Sequence, residues 1–570
     1  MKKLYKPGII LLVLCLLLIP AYMFYKTQDN SIKYSSSYDT SDTDTSYANA
    51  IKIDLNNPTS TTGVTVSDST ITITLGGTYY LSGTYNGEII IDAKGYEVHL
   101  VLDNANITSN DAAIHVVHAK KTIITLVDGS TNTLTDGNTR SDSEINACLF
   151  SKDDLTINGN GTLVINGNYQ DGIVSKDILR IISGTYQIKI VDDGIRGTDA
   201  VMIQNGNFTI NSDTGCGIKS TQTDDTKLGY IIIDDGTFDI TCGTDGIQAV
   251  TEIVLNNGTY KINSSDDAVQ GNNITINNGT YDITTGGGYV NARTHTDNNM
   301  GFGQTTKTTS TTKKNKGIKA EGDVTINGGT FTINAQDDAV HGANVTINNA
   351  TLTISAGDDA VHADTKLIVN ADIDIKTCYE GLEGNIITIN GGNINIISSD
   401  DGMNGSGSNA ILTINDGTIN VNAQGDGLDS NGSVYMNGGN VIVNGPTEND
   451  NGALDYDSEF IVTGGTLVTG GSSGMMQTPS TNSTINTIAV IFTSTINNQE
   501  IKITDSDGNT LVSYTPTKNI QAFSYTSSNL KTGSTYTVYV NGTLYTTLTI
   551  SSSVTQSGNS NGGMQRGMMR

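Results

Sequence analysis

From Leu155 onward, apolar residues alternate with polar ones in short runs closed by an Asn-x-Gly-Thr turn, and the run returns at nearly constant intervals. The unit reads apolar-x-apolar-Asn-x-Gly-Thr-aromatic-x-Ile. It begins at Leu155, Leu179, Val201, Ile231, Ile253, Ile274, Val324, Val345, Leu367, Ile387, Leu412, Val434 and Phe460, 13 times in all. Alternation at period two predicts half-buried strands. Most spacings are 20 to 26 residues, which suits one coil of a parallel β-helix and is too short for a propeller blade of about 40 residues. In the clearest pair, VTINGGTFTINAQDDAVHGA from Val324 and VTINNATLTISAGDDAVHAD from Val345, the apolar positions can line one continuous interior. At about 4.8 Å per coil the repeats predict a rod of roughly 60 Å. Each coil buries its face only against its neighbours, so both ends need caps.

Outside the regular units the pattern changes. Residues 71–136 alternate in the same way but match the repeat poorly, and predict irregular first coils. The 50 residues between Ile274 and Val324 include a polar, basic stretch, 286–316, that predicts a loop ejected from a single coil. After Met476, residues 487–492, 500–504, 511–514 and 536–540 predict a small antiparallel β unit. Ahead of the repeats, Lys2, Lys3 and Lys6 precede an apolar run at 8–25 of about bilayer-spanning length. It is expected to be an uncleaved anchor, with a cleaved signal peptide as the alternative. The expected organisation is 1–25 signal anchor or signal peptide, 26–50 polar stalk, 51–480 parallel β-helix, 481–552 small β unit and 553–570 flexible tail. Everything after Lys26 is then extracellular, held at the cell surface by a transmembrane helix or secreted if the segment is cut.

Composition agrees with many short strands: 64 Gly, 6 Pro and no Trp. A formal net charge of −27 repels nucleic acid and favours a cationic or metal-bridged partner. Cys15 does not follow a small residue, which argues against a lipoprotein. Cys148, Cys216, Cys242 and Cys378 form no CxxC or zinc pattern, and their pairing stays open.

The charge concentrates at one point of the repeat. Acidic pairs stand at Asp192-Asp193, Asp266-Asp267, Asp337-Asp338, Asp358-Asp359 and Asp400-Asp401, and single acids at Asp171, Asp245, Glu380 and Asp426. Downstream in each coil a polar position carries Arg196, Lys219, Gln248, Gln270, Lys319, His341, His362, Glu383, Asn404, Asp429 and Asp455. Stacking would turn these into an acidic ladder. Two carboxylates about 5 Å apart repel by roughly 3 kcal/mol at an effective dielectric near 20, and calcium, which accepts six to eight oxygens, could offset this. The plainer alternative is that each Asp bonds its own turn backbone. Asn256, Asn277, Asn327, Asn348, Asn390, Asn415 and Asn437 are expected to form buried structural amide ladders. His341 and His362 are read equally as sugar contacts or polar rungs, and Asn404 as a sugar contact.

The run GGTYYLSGTYNGEIIIDAKGYEVHLVLDNANI, the paired DDAVH turns, CYEGLEG at 378–384, DDGMN at 400–404 and GDGLDSNG at 425–432 together resemble the clostridial carbohydrate-binding β-helix family over roughly residues 50–480. The resemblance implies a pectate-lyase-like, right-handed parallel β-helix, bound Ca2+, and affinity for cellulose and for acidic polysaccharide such as polygalacturonate, without cleavage. It carries the metal role onto Asp337, Asp338, Asp358, Asp359, Glu380, Glu383, Asp400, Asp401, Asp426 and Asp429. The expected fold class is therefore all-β: a right-handed single-stranded parallel β-helix with a small C-terminal antiparallel β unit and an N-terminal transmembrane segment. The expected function is calcium-dependent polysaccharide binding by a monomer, with no catalytic residues. Two rivals are a calcium-dependent lyase using Lys219, Lys319 or Arg196 as base, and an adhesin or structural rod. Flat stacking on cellulose is less expected without Trp, although 24 Tyr could substitute in part.

Overall fold

The computed structural model describes residues 36–292 and 315–558. A typical coil runs through the strands Ile195–Gly197, Ala200–Ile203 and Asn207–Ser212. Each pairs in parallel with its counterpart one coil on, Ile218–Ser220, Tyr230–Ile233 and Thr237–Cys242. Three parallel faces result. The second face aligns the thirteen repeat starts of the sequence in unbroken register, Leu155 on Leu179 through to Val434 on Phe460. Ile274 pairs directly with Val324, so the stacking continues across the 50-residue interval.

The pleat decides what is inside. Along Asn207–Ser212 exposed and buried residues alternate, and the aromatic of each repeat is buried. Tyr186, Phe208, Phe238, Tyr260, Tyr281 and Phe331 form one internal column with centroids 4.6 to 4.9 Å apart. Such pairs contribute about 0.5–1.5 kcal/mol each beyond their buried area. These tyrosines are therefore not a sugar platform, contrary to the substitution considered above. The glycine two residues earlier is required by the same packing: Gly258 has φ +127°, and a Cβ there would lie 3.0 Å from Gly236 O and from the Tyr260 ring. The asparagine ladder forms, with Asn277 donating to Asn256 at 2.8 Å and Asn327 to Asn277 at 2.9 Å, but on the exposed surface rather than in the interior.

Part of residues 36–50, expected as solvated stalk, packs instead on the side of the coils. The helix Thr40–Thr43 brings Asp42, 1% exposed, into an ion pair with Lys121, and Asn158 donates to its carbonyl at 2.9 Å. At the C-terminal end Thr466–Gly471 pairs antiparallel with Ile520–Ser527, which pairs with Thr487–Ile496. A further antiparallel sheet joins Thr510–Tyr514, Ile501–Thr504, Thr535–Val540 and Thr543–Thr549. This unit has its own apolar core around Ile488, Phe523, Tyr525 and Val538 and covers the last coil's open edge. Val554–Ser557, expected in a flexible tail, is a strand on Thr487–Ile496.

One part of the expected fold class is corrected. No helix among the described residues is long and apolar enough to cross a membrane, and the apolar run at 8–25 lies outside the described residues. The fold is the parallel β-solenoid with its C-terminal β unit. The four cysteines within it are free and buried.

Candidate functional site

The acidic turn connects the third face to the three-residue strand of the next coil. Its small residue is dictated by packing: at Gly194 a Cβ would lie 2.5 Å from Gly217 O and 2.6 Å from Ile210 Cγ2. This close approach buries the acid just before it. Asp171, Asp193, Asp245, Asp267, Asp338 and Asp359 are 1 to 5% exposed. In all of these but Asp359, and in Asp401 and Asp426, one oxygen has a structural task, accepting from the backbone N–H of the same position one coil on. The pairs are Asp171 with Asp193, Asp193 with Cys216, Asp245 with Asp267, Asp267 with Lys316, Asp338 with Asp359, Asp401 with Asp426, and Asp426 with Gly452, at 2.5 to 3.1 Å. The turn acids thus bond a neighbouring coil's backbone, not their own.

The second oxygen faces the outward ladder, which runs in register through Arg196, Lys219, Gln248, Gln270, Lys319, His341, His362, Glu383, Asn404, Asp429 and Asp455. In the middle of the rod the chain supplies its own counter-charges. Arg196 pairs with Asp171, Lys219 with Asp193 at 3.4 Å and Lys319 with Asp267 at 3.2 Å. Asp245 is the exception: only the Gln248 amide donates to it, at 2.5 Å, and burial pushes it up to about 7. Lys316 is buried in the turn-acid column itself and pairs with Asp337 at 2.9 Å and with Asp338. His341 Nδ1 lies 2.8 Å from Asp338 Oδ2. His362 Nδ1 lies 2.8 Å from Asp359 Oδ2 and 2.9 Å from Glu383 Oε2. Burial opposes charge on His362, but its two carboxylate partners prevail and push its pKa up to about 11. Against the cost of burial, His341 and Lys316 hold Asp338 well below the usual carboxylate range.

Beyond His362 this compensation ends. Between Glu380 and Asp457 the sequence holds no Lys, Arg or His. Burial first, and neighbouring carboxylates second, push Asp401 up to about 8, Asp429 to about 7 and Asp426 to about 6. Burial likewise pushes Glu380 to about 7, although Asn404 Nδ2 donates to its Oε2 at 2.9 Å. The other end of that amide, Asn404 Oδ1, is buried without a hydrogen-bond partner. An orphaned acceptor among desolvated carboxylates is a set of hard oxygens facing no positive charge. This donor set fits a calcium ion.

The ten expected metal ligands therefore do not form equivalent rungs. Asp337 and Asp338 are closed by Lys316, and Asp359 and Glu383 share His362. Glu380, Asp401, Asp426 and Asp429, with Asp400 beside them in the turn, form the open acidic group around Asn404. Asp358 belongs to the turn above it. Lys316 escaped the sequence reading because it was assigned to the ejected loop. The signal was its position three residues before Lys319, the offset at which Asp338 precedes His341 and Asp359 precedes His362.

Residues 67–360 and 383–515 match the family model described as carbohydrate-binding domain-containing protein. A carbohydrate-binding domain-containing protein of Acetivibrio thermocellus is 38% identical over 208 residues, covering 35% of this chain and 72% of its own. The solved structure of the polysaccharide lyase-like protein from C. thermocellum, a gadolinium derivative, is 27% identical and covers 57% of this chain and 96% of its own, with a TM-score of 0.33.

Proposed function

Because the chain belongs to the carbohydrate-binding domain-containing protein family, we propose that it is an extracellular, calcium-dependent binder of acidic polysaccharide such as polygalacturonate. The observation that carries this reading is the set Glu380, Asp401, Asp426 and Asp429, half-buried carboxylates that, with the unpartnered Asn404 Oδ1, meet no cationic side chain among the described residues. Glu380, Asp401, Asp426 and Asp429 would hold calcium there, with Asn404 beside them. When bound, calcium offers coordination positions to uronate carboxylates and so bridges two partners of like charge. The low affinities typical of extracellular calcium modules match an acidic site that burial makes reluctant to ionise.

The rest of the ladder supports the same reading. A shallow groove lined by Lys219, Gln248, Gln270, Asn272 and Glu321 continues along this face and presents amides and an ammonium to sugar hydroxyls and carboxylates. Binding is favoured over elimination chemistry, because the three candidate bases are engaged. Arg196 and Lys319 are ion-paired. Lys219 pairs with Asp193 at 3.4 Å.

The test is retention of the full chain on a polygalacturonate column with calcium and with chelator, alongside calcium titration calorimetry. Asp401→Asn and Asp426→Asn keep the oxygens that accept from the next coil's backbone, and with Asp429→Asn they remove the charge. The triple variant should remain folded and lose both calcium uptake and calcium-dependent retention. Retention unchanged by chelator, or by the triple substitution, would refute the proposal.

A further inference from the structure

The outward edge of the two stacked histidines carries a separate constellation. His341 and His362 stand in register on adjacent coils, with centroids 4.6 Å apart and planes inclined by 10°. Each ring commits Nδ1 inward, to Asp338 and Asp359 respectively, at 2.8 Å. Both Nε2 atoms then face one and the same oxygen: Asp364 Oδ1 lies 3.6 Å from that of His341 and 3.7 Å from that of His362. The strand Val361–Thr377 slips register between Ala363 and Lys366. That irregularity sets Asp364 outside the regular pleat, with its side chain 57% exposed.

We propose that His341 Nε2, His362 Nε2 and Asp364 Oδ1 form a binding site for a borderline divalent transition-metal ion, with Zn2+ as its type, distinct from the all-oxygen calcium site at Glu380 to Asp429. Zinc bonds to nitrogen and oxygen of about 2.0–2.2 Å place tetrahedral ligands about 3.3 Å apart. The two gaps to Asp364 exceed this by a few tenths of an ångström, which its exposed side chain can close by rotation, while the rings, stacked 4.6 Å apart, must tilt together at their Nε2 edges to share an ion. A carboxylate on the far nitrogen of each imidazole is the arrangement that fixes a metal-binding tautomer and raises ligand basicity. Here both rings have one, buried and in place. Donor chemistry sorts the two sites, since imidazole suits zinc, nickel and copper whereas calcium takes oxygen. The fourth position faces solvent, where water or a sugar hydroxyl can complete the shell.

This assignment does not depend on the calcium reading, and the experiment separates them. The full chain, saturated with calcium, is titrated with Zn2+ by calorimetry and with Co2+ by visible absorption. One equivalent should bind, with proton release as the Nε2 positions are vacated, and Co2+ should give the intense bands of a four-coordinate nitrogen-containing site. His341→Gln and His362→Gln should each abolish uptake. Asp364→Asn, at an exposed position that does not threaten folding, should weaken it at least about ten-fold. The Asp401, Asp426 and Asp429 triple variant should bind zinc as the parent does. Absence of zinc uptake in calcium-saturated protein, or uptake unchanged by Asp364→Asn, would overturn the site and leave Asp364 as an ion-pair partner of the rings.

Discussion

The middle of the ladder and its C-terminal third share one backbone device and differ in what they present outward. At Asp171, Asp193, Asp267 and Asp338 a turn carboxylate bonds the next coil's N–H through one oxygen and an internal cation or imidazole through the other. At Asp401 and Asp426 the same N–H bond persists, but no cationic side chain among the described residues pairs with either acid. The difference teaches that the acidic turn is a structural element first. Whether it is also a ligand site depends on a single outward residue per coil. Removing charge should therefore have opposite consequences in the two regions.

The largest effect is expected at Lys316→Met. Lys316 is a buried ammonium between two buried carboxylates, and deleting one partner of such a group strands the other charge at a cost of about 3–5 kcal/mol. Urea denaturation should register that loss. Asp401→Asn, in the open region, removes a carboxyl with no cationic partner among the described residues while keeping the oxygen that accepts from Asp426 N, so in chelator above about pH 8 it should leave stability unchanged or raise it. Equal and small effects of both substitutions would erase the distinction between the regions.

A second, smaller effect concerns pH. In the open region burial raises Glu380, Asp401, Asp426 and Asp429 to about 7, 8, 6 and 7, whereas unfolded carboxyls titrate near about 4. Between these values the folded state holds more protons than the unfolded state, so stability falls as pH rises. The contribution is fully present below about pH 4 and is lost by about pH 8. Metal-free protein should lose stability progressively across that window, read as a falling melting temperature. Calcium should flatten the slope by replacing the protons. A melting temperature that rises with pH over the window in chelator would contradict the assigned desolvation.

How much of this was legible beforehand follows from which signals are periodic. The register of the second face was readable to the residue, because its apolar starts repeat and a one-residue slip would expose the whole set. The outward ladder was equally readable, since Arg196 through Asp455 each stand two residues after the Gly or Ala of the acidic turn. Partnership was not. Nothing in the repeat tells that Lys316, at the edge of an irregular insertion, folds back into the acid column, or that Asp364 rises from a slipped strand to face two rings. The tyrosines misled for a related reason: their abundance suggested a surface, while the pleat placed Tyr186, Tyr260 and Tyr281 inside.

The comparison can also be broken from the other direction, by giving the open region what the middle already has. Asn404 occupies the ladder position between Glu383 and Asp429, the place at which Lys319 serves Asp267 at 3.2 Å. Asn404→Lys should bring an ammonium to Glu380 and Asp401 and relieve the desolvated carboxylates from within. In chelator the gain should be modest, about 1 kcal/mol, because the ladder edge is partly solvated and the lysine must be ordered. Calcium uptake should fall sharply in the same variant, since the internal cation competes for the same oxygens at unlimited effective concentration. A variant that gained stability and still bound calcium like the parent would show that the uncompensated carboxylates and the calcium site are different things, and the contrast between the two regions would lose its functional meaning.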